Sequence, residues 1–188
     1  MEKNLPNELI CEILSLVFRI SDEMFQDVSG ISPFSRPDHI PTSTVLCVCK
    51  RWMNVATPFL YNVVILRSSA QAKALRRTLR RNKHYGAYIK KFRTEGCYGA
   101  AMRAIIYSAP NICDLCLLLD MRASGDVTGL DSSLASINPS RLVVQLRPQD
   151  STTGHSESPL KNVLPKLTAC FKSWTNMVSR LYYIIWCS

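Results

Sequence analysis

Acidic residues are missing from a long stretch of this 188-residue chain. Between His39 and Thr94 there is neither aspartate nor glutamate, while lysine and arginine are frequent in the same window. This imbalance contributes much of the formal net charge of +9. A basic block of this kind is typical either of a solvated helix face or of a surface for an anionic partner.

Long apolar runs and a leader segment are lacking as well. No run approaches the roughly 18 apolar residues that a membrane-spanning helix needs. The N-terminal stretch MEKNLPNEL contains a glutamate and a proline and has no apolar core, which is unlike a secretory signal. We therefore expect a cytoplasmic or nuclear protein with no membrane partner. The hydrophobic fraction of 47% and the charged fraction of 20% are typical of a globular chain.

Motifs for metal binding and catalysis are scarce. Eight cysteines without a secretion signal predict reduced thiols. Cys113 and Cys116 form a C-x-x-C pair, but no histidine lies near it at zinc-ligand spacing, so Cys116 is interpreted as a small buried hydrophobe. The chain has no Gly-rich phosphate loop, nucleophile elbow or metal-binding histidine pair. We expect no enzymatic activity, no catalytic residue, no metal and no cofactor.

The first sixty or so residues have the pattern of a small helical unit. Residues 6–18 place apolar side chains at helical spacing and predict one helix with a wide apolar face. Residues 20–41 contain three prolines and a glycine and predict a long surface loop. A second helix is predicted from about Thr42, and Thr57-Pro58 is expected to start a short third element. One side of the second helix comprises Val45, Val48, Cys49, Trp52 and Met53.

The rest of the chain has a repeating pattern. Strand-like runs occupy 62–66, 88–92, 115–119 and 142–146, with centres 26 or 27 residues apart. Helical candidates lie between and after them, at 69–82, 99–108, 127–136 and 159–171. A strand plus a helix at this period is typical of a leucine-rich-repeat-like solenoid, whose right-handed crossovers make the strands parallel. An ordinary α/β sheet with evenly sized connections is the alternative.

Two motifs in the helical unit resemble the F-box. They are LPNELICEIL, from Leu5 to Leu14, and VLCVCKRWMNVATPFLY, from Val45 to Tyr61. The F-box pairs an L-P-x-E helix with a later V-C-K-x-W helix, and the long loop at 20–41 is a departure from it. With the repeat region included, roughly residues 5–176 resemble the F-box proteins abundant in mushroom-forming fungi. The matching residues are Leu5, Pro6, Glu8, Ile13, Val48, Cys49, Lys50 and Trp52.

This resemblance implies a fold and a function. The expected fold class is α + α/β, with a small N-terminal helical F-box over 1–61, a short β/α leucine-rich-repeat-like solenoid over 62–177 and an atypical tail over 178–188. An F-box docks a Skp-type adaptor, which connects it to a cullin, while the rest of the chain holds a protein substrate. The resemblance therefore implies the substrate-recognition subunit of an SCF-type cullin–RING ubiquitin ligase. The expected adaptor contacts are Leu5, Pro6, Leu9, Ile13, Leu14, Val48, Cys49, Lys50 and Trp52.

Two other functions stay open at this point. The arginines at 76, 77, 80 and 81 form one basic helix face, as in modules that bind nucleic acid. No aromatic residues interleave with them, so we favour a solvated outer helix and expect no nucleic-acid partner. The second alternative is an F-box scaffold with no ligase function. The sequence does not identify the substrate, since a fold does not determine what its surface binds.

The last residues of the chain have an unusual composition. The repeat register predicts another strand near Met177, paired to the strand at 142–146. LYYIIW then combines high β-propensity with no charge. We expect residues 178–188 to pack poorly and the chain to be a truncated product, because a solenoid needs a capping repeat over its last apolar face.

Overall fold

The computed structural model describes residues 5–27, 32, 34, 42–120, 126, 128–147 and 160–184. The chain forms two compact units, Met1–Val63 and Val64–Ser188. The described part of the first is helical, and the second combines helices with a sheet. The predicted mixed class, α + α/β, is confirmed at this level.

The first unit contains four described helices. They are α1 (Asn7–Val17), α2 (Asp22–Gln26), α3 (Thr42–Leu46) and α4 (Lys50–Asn62). α1 begins one residue later than predicted, at Asn7, and Pro6 is the N-cap residue directly before it. α2 lies within the segment that the sequence predicted as loop. Ser21 caps it by accepting from the Met24 N–H at 3.2 Å, and its Phe25 is 1% exposed. The rest of the predicted loop lies mostly outside the described residues.

The second and third predicted helices are divided differently from the prediction. A turn at 47–49 separates α3 from α4, and the Cys49 Sγ accepts from the Trp52 N–H at 3.4 Å as a cap. Pro58 lies inside α4, so the short element expected to start there was predicted wrongly. Pro58 removes only the N–H that would bond the Asn54 carbonyl. Since Asn54 is exposed, water can replace that bond.

A small core holds the first unit together. Ile10 and Leu14 of α1 lie buried against Val45 of α3 and Ala56 of α4. Partly buried side chains surround this cluster, namely Val17, Phe18, Leu46, Trp52, Val55 and Phe59. Burial of this apolar surface is what stabilises helices that are too short to be stable alone.

The second unit is built on a sheet whose strands follow the chain order. The strands are β1 (Val63–Leu66), β2 (Lys91–Thr94), β3 (Asp114–Asp120), β4 (Arg141–Arg147) and β5 (Ser179–Ile184). They lie side by side in the order β1-β2-β3-β4-β5, and β2 to β5 pair in parallel. The predicted parallel arrangement is therefore confirmed for those four strands.

Helices connect the strands and also pack in chain order. They are α5 (Ser69–Arg81), α6 (Gly99–Ser108), α7 (Thr128–Ser133) and α8 (Leu160–Ser173). α5 contacts α6, α6 contacts α7, and α7 contacts α8. Short 3-10 segments follow α5 and α7. Each crossover between neighbouring strands thus carries a helix, and the strand order never reverses.

The second strand begins three residues later than predicted. The run 88–92 alternates like a strand, but Tyr88 ends a 3-10 helix and β2 begins at Lys91. The physical reason is the pairing with β3, which aligns the buried triplet 92–94 with the buried triplet 115–117. The interval from Lys91 to its partner Asp114 is accordingly 23 residues, shorter than the predicted repeat.

The predicted final strand is present as β5. It pairs in parallel with β4, with Ser179 beside Arg141 and Ile184 beside Leu146. Ser179–Ile184 is thus an added strand, as the repeat register predicted, and the poor packing of 178–188 stays a prediction. How its side chains pack lies outside the described residues, as do positions 185–188.

Candidate functional sites

An apolar stripe on α1 is exposed. Leu9, Ile13 and Leu16 are 45%, 43% and 66% exposed, whereas Ile10 and Leu14 are almost fully buried. At 3.6 residues per turn, positions 9, 13 and 16 fall on one side of the helix, next to the side that faces the core. We refer to Leu9, Ile13 and Leu16 as the α1 stripe. The stripe is apolar surface of α1 that the core of this unit leaves exposed.

The start of α4 is tied to the start of α1. The Arg51 Nε donates to the Asn7 Oδ1 at 2.7 Å, and its Nη2 donates to the Leu5 carbonyl. These bonds bring the LPNELICEIL and VLCVCKRWMNVATPFLY motifs together in space. Leu5 is 41% exposed and Val48, just before α4, is 57% exposed. Nothing in the local sequence pattern indicates that Arg51 joins the two motifs, since its partners lie 44 and 46 residues away in the chain.

The residues predicted to contact an adaptor fall into two groups. Leu14 was placed wrongly among the accessible residues, because it is 0% exposed and lies in the core with Ile10. Trp52 is half-buried and packs against that same core. The others are exposed, and they are Leu5, Pro6, Leu9, Ile13, Val48, Cys49 and Lys50. Helical periodicity missed this division, since the apolar face of α1 is wider than the surface it buries. It also missed Leu16.

A pocket lies at the carboxyl end of the sheet in the second unit. Its volume is about 520 Å³, and α5, the segment after β2 and the start of α6 all contribute to it. We refer to it as the edge pocket. Carboxyl ends of parallel strands are where open α/β sheets most often bind ligands. Sequence reasoning missed it because its walls come from three separate segments. The residues lining it include Arg67, Lys73, Arg76, Glu95, Tyr98, Gly99 and Asp126.

Two arginines share one carboxylate beside the edge pocket. Glu95 pairs with the Arg67 Nε at 3.1 Å through its Oε2 and with the Arg93 Nε at 3.1 Å through its Oε1. Arg93 is 0% exposed and Glu95 is 12% exposed by side chain. A buried guanidinium is costly unless a charge partner and hydrogen bonds satisfy it. Glu95 is therefore a structural partner of Arg93, and the charge of these three groups together is positive.

The turn at the bottom of the edge pocket is tightly packed. Tyr98 and Gly99 both have positive φ, 44° and 50°. A Cβ on Gly129 would lie 1.7 Å from the Gly99 carbonyl oxygen, so only glycine fits there. Burial, with a smaller contribution from the Glu95 charge, raises the pKa of Tyr98 to about 12. Its hydroxyl donates to the Leu66 carbonyl at 3.4 Å. Tyr98 is a neutral wall of the pocket at physiological pH.

The basic face of α5 adjoins the edge pocket. A groove of about 240 Å³ lies between Lys73, Arg76, Arg77 and Arg80, and another of about 370 Å³ lies between Arg77, Arg80 and Arg81. We refer to Lys73, Arg76, Arg77, Arg80 and Arg81 as the α5 track. Within the described ranges none of the five takes part in an ion pair. The buried side of this helix is formed by Ala72 and Leu79 instead.

The middle of the sheet has no open face. Leu115 and Leu117 point to one side of β3 and Cys116 and Leu118 to the other, yet all four are buried. The same holds for 142–145 of β4. Burial raises the pKa of the Cys116 thiol to about 11, so it stays protonated at physiological pH. These strands belong to the core and do not form a binding surface.

Among the described residues, no group of three or more histidine, cysteine, aspartate or glutamate side chains is placed to hold a metal ion. Over the same part of the chain, the helices are too short or too polar to cross a membrane. Comparison with known protein families, curated proteins and solved structures finds no match for this chain. Two surfaces are candidates for partner binding, namely the α1 stripe and the α5 track with its edge pocket.

Proposed function

We propose that this protein is a substrate-recognition subunit of an SCF-type cullin–RING ubiquitin ligase in the cytoplasm or nucleus. Its first unit is an F-box that docks a Skp-type adaptor, and its second unit holds a protein substrate. The chain performs no chemistry itself. It raises the effective concentration of a substrate lysine near the ubiquitin-loaded enzyme.

The α1 stripe is the observation that carries this proposal. A helical unit of about sixty residues has little apolar surface to spare, so exposing Leu9, Ile13 and Leu16 has a cost in solubility unless a partner covers them. The stripe belongs to the L-P-x-E motif, and Arg51 holds the V-C-K-x-W motif beside it. An amphipathic helix face of this kind fits a helical partner with aliphatic and aromatic anchors.

Support for a leucine-rich-repeat-like solenoid comes from links between successive turns. The N–H of Cys113 donates to the Lys90 carbonyl at 2.8 Å, and the N–H of Ser140 donates to the Cys113 carbonyl at 2.8 Å. The N–H of Val178 then donates to the Ser140 carbonyl at 2.8 Å. Equivalent positions of consecutive β–α units thus stack directly on each other. Strands and helices that both follow the chain order are what a solenoid requires.

Adaptor binding is the direct test. A Skp-type adaptor should bind the purified full-length chain, and the double substitution Leu9→Ala/Ile13→Ala should weaken binding by at least about thirtyfold, or about 2 kcal/mol. Both side chains are more than a third exposed, so circular dichroism should show an intact fold. Biolayer interferometry with immobilised adaptor gives the dissociation constants.

Cys11→Ala is the matched control for that experiment. Cys11 is exposed on α1 but lies about 200° around the helix from Leu9, on the far side from the stripe. It should bind like the unmodified chain. Absence of adaptor binding by the unmodified chain, or an equal loss in both variants, would remove the F-box proposal. Leu14→Ala is unsuitable here, since it disrupts the core as well as any interface.

A further inference from the structure

We infer that the α5 track and the edge pocket bind an extended acidic segment of a partner protein, with one carboxylate of that segment in the edge pocket. This inference rests on the proposed function only in calling the partner a substrate of the ligase. It specifies that the segment of the substrate that is recognised is acidic, and that the α5 track and the edge pocket bind it.

The shape of the surface is continuous. Lys73 and Arg76 line both the edge pocket and the first groove on α5, and Arg77 and Arg80 line both that groove and the next. The concave surface therefore runs from the carboxyl end of the sheet to the end of α5. The helix has 13 residues and is about 20 Å long. An extended peptide, at about 3.3 Å per residue, covers that length with about six residues.

Over the described residues, no acidic side chain forms an ion pair with the cations of the α5 track. α6 and the 3-10 helix Lys83–Tyr88 pack against α5, and neither contains an acidic residue. Of the two acids at the edge pocket, Glu95 is held by Arg67 and Arg93. Asp126 accepts from the Thr128 N–H at 3.0 Å, and its hydrogen bonds with Thr128 lower its pKa. Glu95 is thus paired with cations outside α5, whereas Asp126 keeps its negative charge and faces two cations of α5, Lys73 and Arg76, in the lining of the edge pocket.

The spacing of the cations on α5 is unfavourable for the isolated helix. Lys73 and Arg77 are four residues apart, as are Arg76 and Arg80, and like charges at that spacing repel on a helix surface. The helix dipole favours cations only in the last turn, which leaves the three at 73, 76 and 77 without that stabilisation. An anionic ligand along the track would remove the repulsion. Guanidinium groups bind carboxylates with two parallel hydrogen bonds, which suits Glu and Asp side chains.

A peptide fits the surface better than a nucleic acid does. The two grooves on α5 are lined by lysine and arginine alone. Proteins that bind single-stranded nucleic acid provide aromatic side chains on which successive bases stack. Tyr98 at the edge pocket directs its hydroxyl to the Leu66 carbonyl and is half-buried, so it offers no such platform along the track.

Fluorescence anisotropy of a labelled decaglutamate peptide with the full-length chain, without adaptor, tests this inference. Decaglutamine is the uncharged probe and a ten-nucleotide oligothymidine is the nucleic-acid probe. The chain should bind decaglutamate, with an affinity that falls as salt rises, and should bind decaglutamine at least about tenfold more weakly. Oligothymidine should bind no more tightly than decaglutamate.

Two variants with the same net charge locate the binding surface. Arg76→Gln/Arg77→Gln/Arg80→Gln removes three charges of the track, and Lys90→Gln/Arg103→Gln/Lys172→Gln removes three exposed charges elsewhere. The first should weaken decaglutamate binding about tenfold or more, while the second changes it less than about threefold. Equal losses of decaglutamate affinity in the two variants would mean that the net charge alone determines binding, and that result overturns the inference. Tighter binding of oligothymidine than of decaglutamate overturns it as well.

The peptide-binding and adaptor-binding experiments can fail independently of each other. A chain that binds the adaptor through the α1 stripe but does not bind decaglutamate refutes only this inference. A chain that binds decaglutamate through the track but not the adaptor refutes only the ligase proposal.

Discussion

Removing the carboxylate of Glu95 should destabilise the second unit strongly. Arg93 is 0% exposed and is bonded to Glu95 through both its Nε and its Nη2. Replacing one partner of a buried ion pair typically costs about 3 to 5 kcal/mol, because the remaining charge stays buried without its counter-ion. Glu95→Ala should therefore lower the free energy of unfolding by about that amount. Glu95→Gln keeps a hydrogen-bond acceptor and should cost less, about 1 to 3 kcal/mol.

Asp114→Ala supplies the matched comparison. Asp114 pairs with Arg141 at 2.6 Å and with Lys91 at 3.8 Å, but these cations are 20% and 26% exposed by side chain. Arg141 binds Asp114 through two hydrogen bonds, but water still reaches these side chains and screens the pair, so the loss should be smaller than for Glu95→Ala, about 1 to 2 kcal/mol. Urea unfolding followed by circular dichroism measures the variants. If Glu95→Ala lowers the free energy of unfolding no more than Asp114→Ala does, the burial of Arg93 does not make its ion pair more important than a partly exposed one.

A second substitution separates charge burial from lost packing. Adding Arg93→Met to Glu95→Ala removes the buried charge and leaves a side chain of similar length. The double variant should recover a large part of the lost stability, since apolar replacements of buried ion pairs are often neutral. A double variant less stable than Glu95→Ala alone would show that Arg93 stabilises the sheet through its other contacts.

Three further outcomes are expected. Leu14→Ala should cost about 2 to 5 kcal/mol of stability in the first unit, whereas Ile13→Ala should cost less than about 1 kcal/mol, and equal losses in urea unfolding would contradict the assigned core. Gly129→Ala should give a chain that melts at lower temperature in a thermal scan, because its methyl group would overlap the Gly99 carbonyl, and an unchanged melting temperature would argue against that close approach. Between about pH 9 and 11 the unfolded chain releases the Cys116 proton while the folded chain keeps it, so stability falls as pH rises; Cys116→Val should flatten that fall in urea midpoints, and an unchanged slope would contradict the raised pKa.

Local pattern was enough for the regular helices. The apolar periodicity of 69–82 and 99–108 located α5 and α6 to within one residue at their ends. The period of β–α units also predicted the parallel sheet. The local pattern did not predict which residues of the second strand pair across the sheet. The run 88–92 alternates between apolar and basic residues as a strand does, and only the pairing with β3 selects Lys91–Thr94 as the strand.

Side-chain surroundings were less predictable than secondary structure. Leu14 and Leu9 look alike in the sequence, and only the packing of α3 and α4 decides which is buried. Pro58 follows a threonine, as at many helix starts, but α4 continues through it because the freed Asn54 carbonyl is on the exposed side. The edge pocket needs residues 67, 95–99 and 126 to meet, and no local pattern relates segments so far apart. The basic block itself was evident from the absence of acids.

The stacked strands have a consequence for how such a chain diverges. From Asp114 to its partner Arg141 the chain takes 27 residues, and from Arg141 to Ser179 it takes 38, yet the strands stay in register residue by residue. The added length is carried entirely by the crossover. Insertions and deletions there leave every strand pair intact, so selection can tolerate them more readily than a single-residue shift within a strand. Descendants of one ancestral gene would then differ most in the lengths of the crossovers and least in the strands of the sheet.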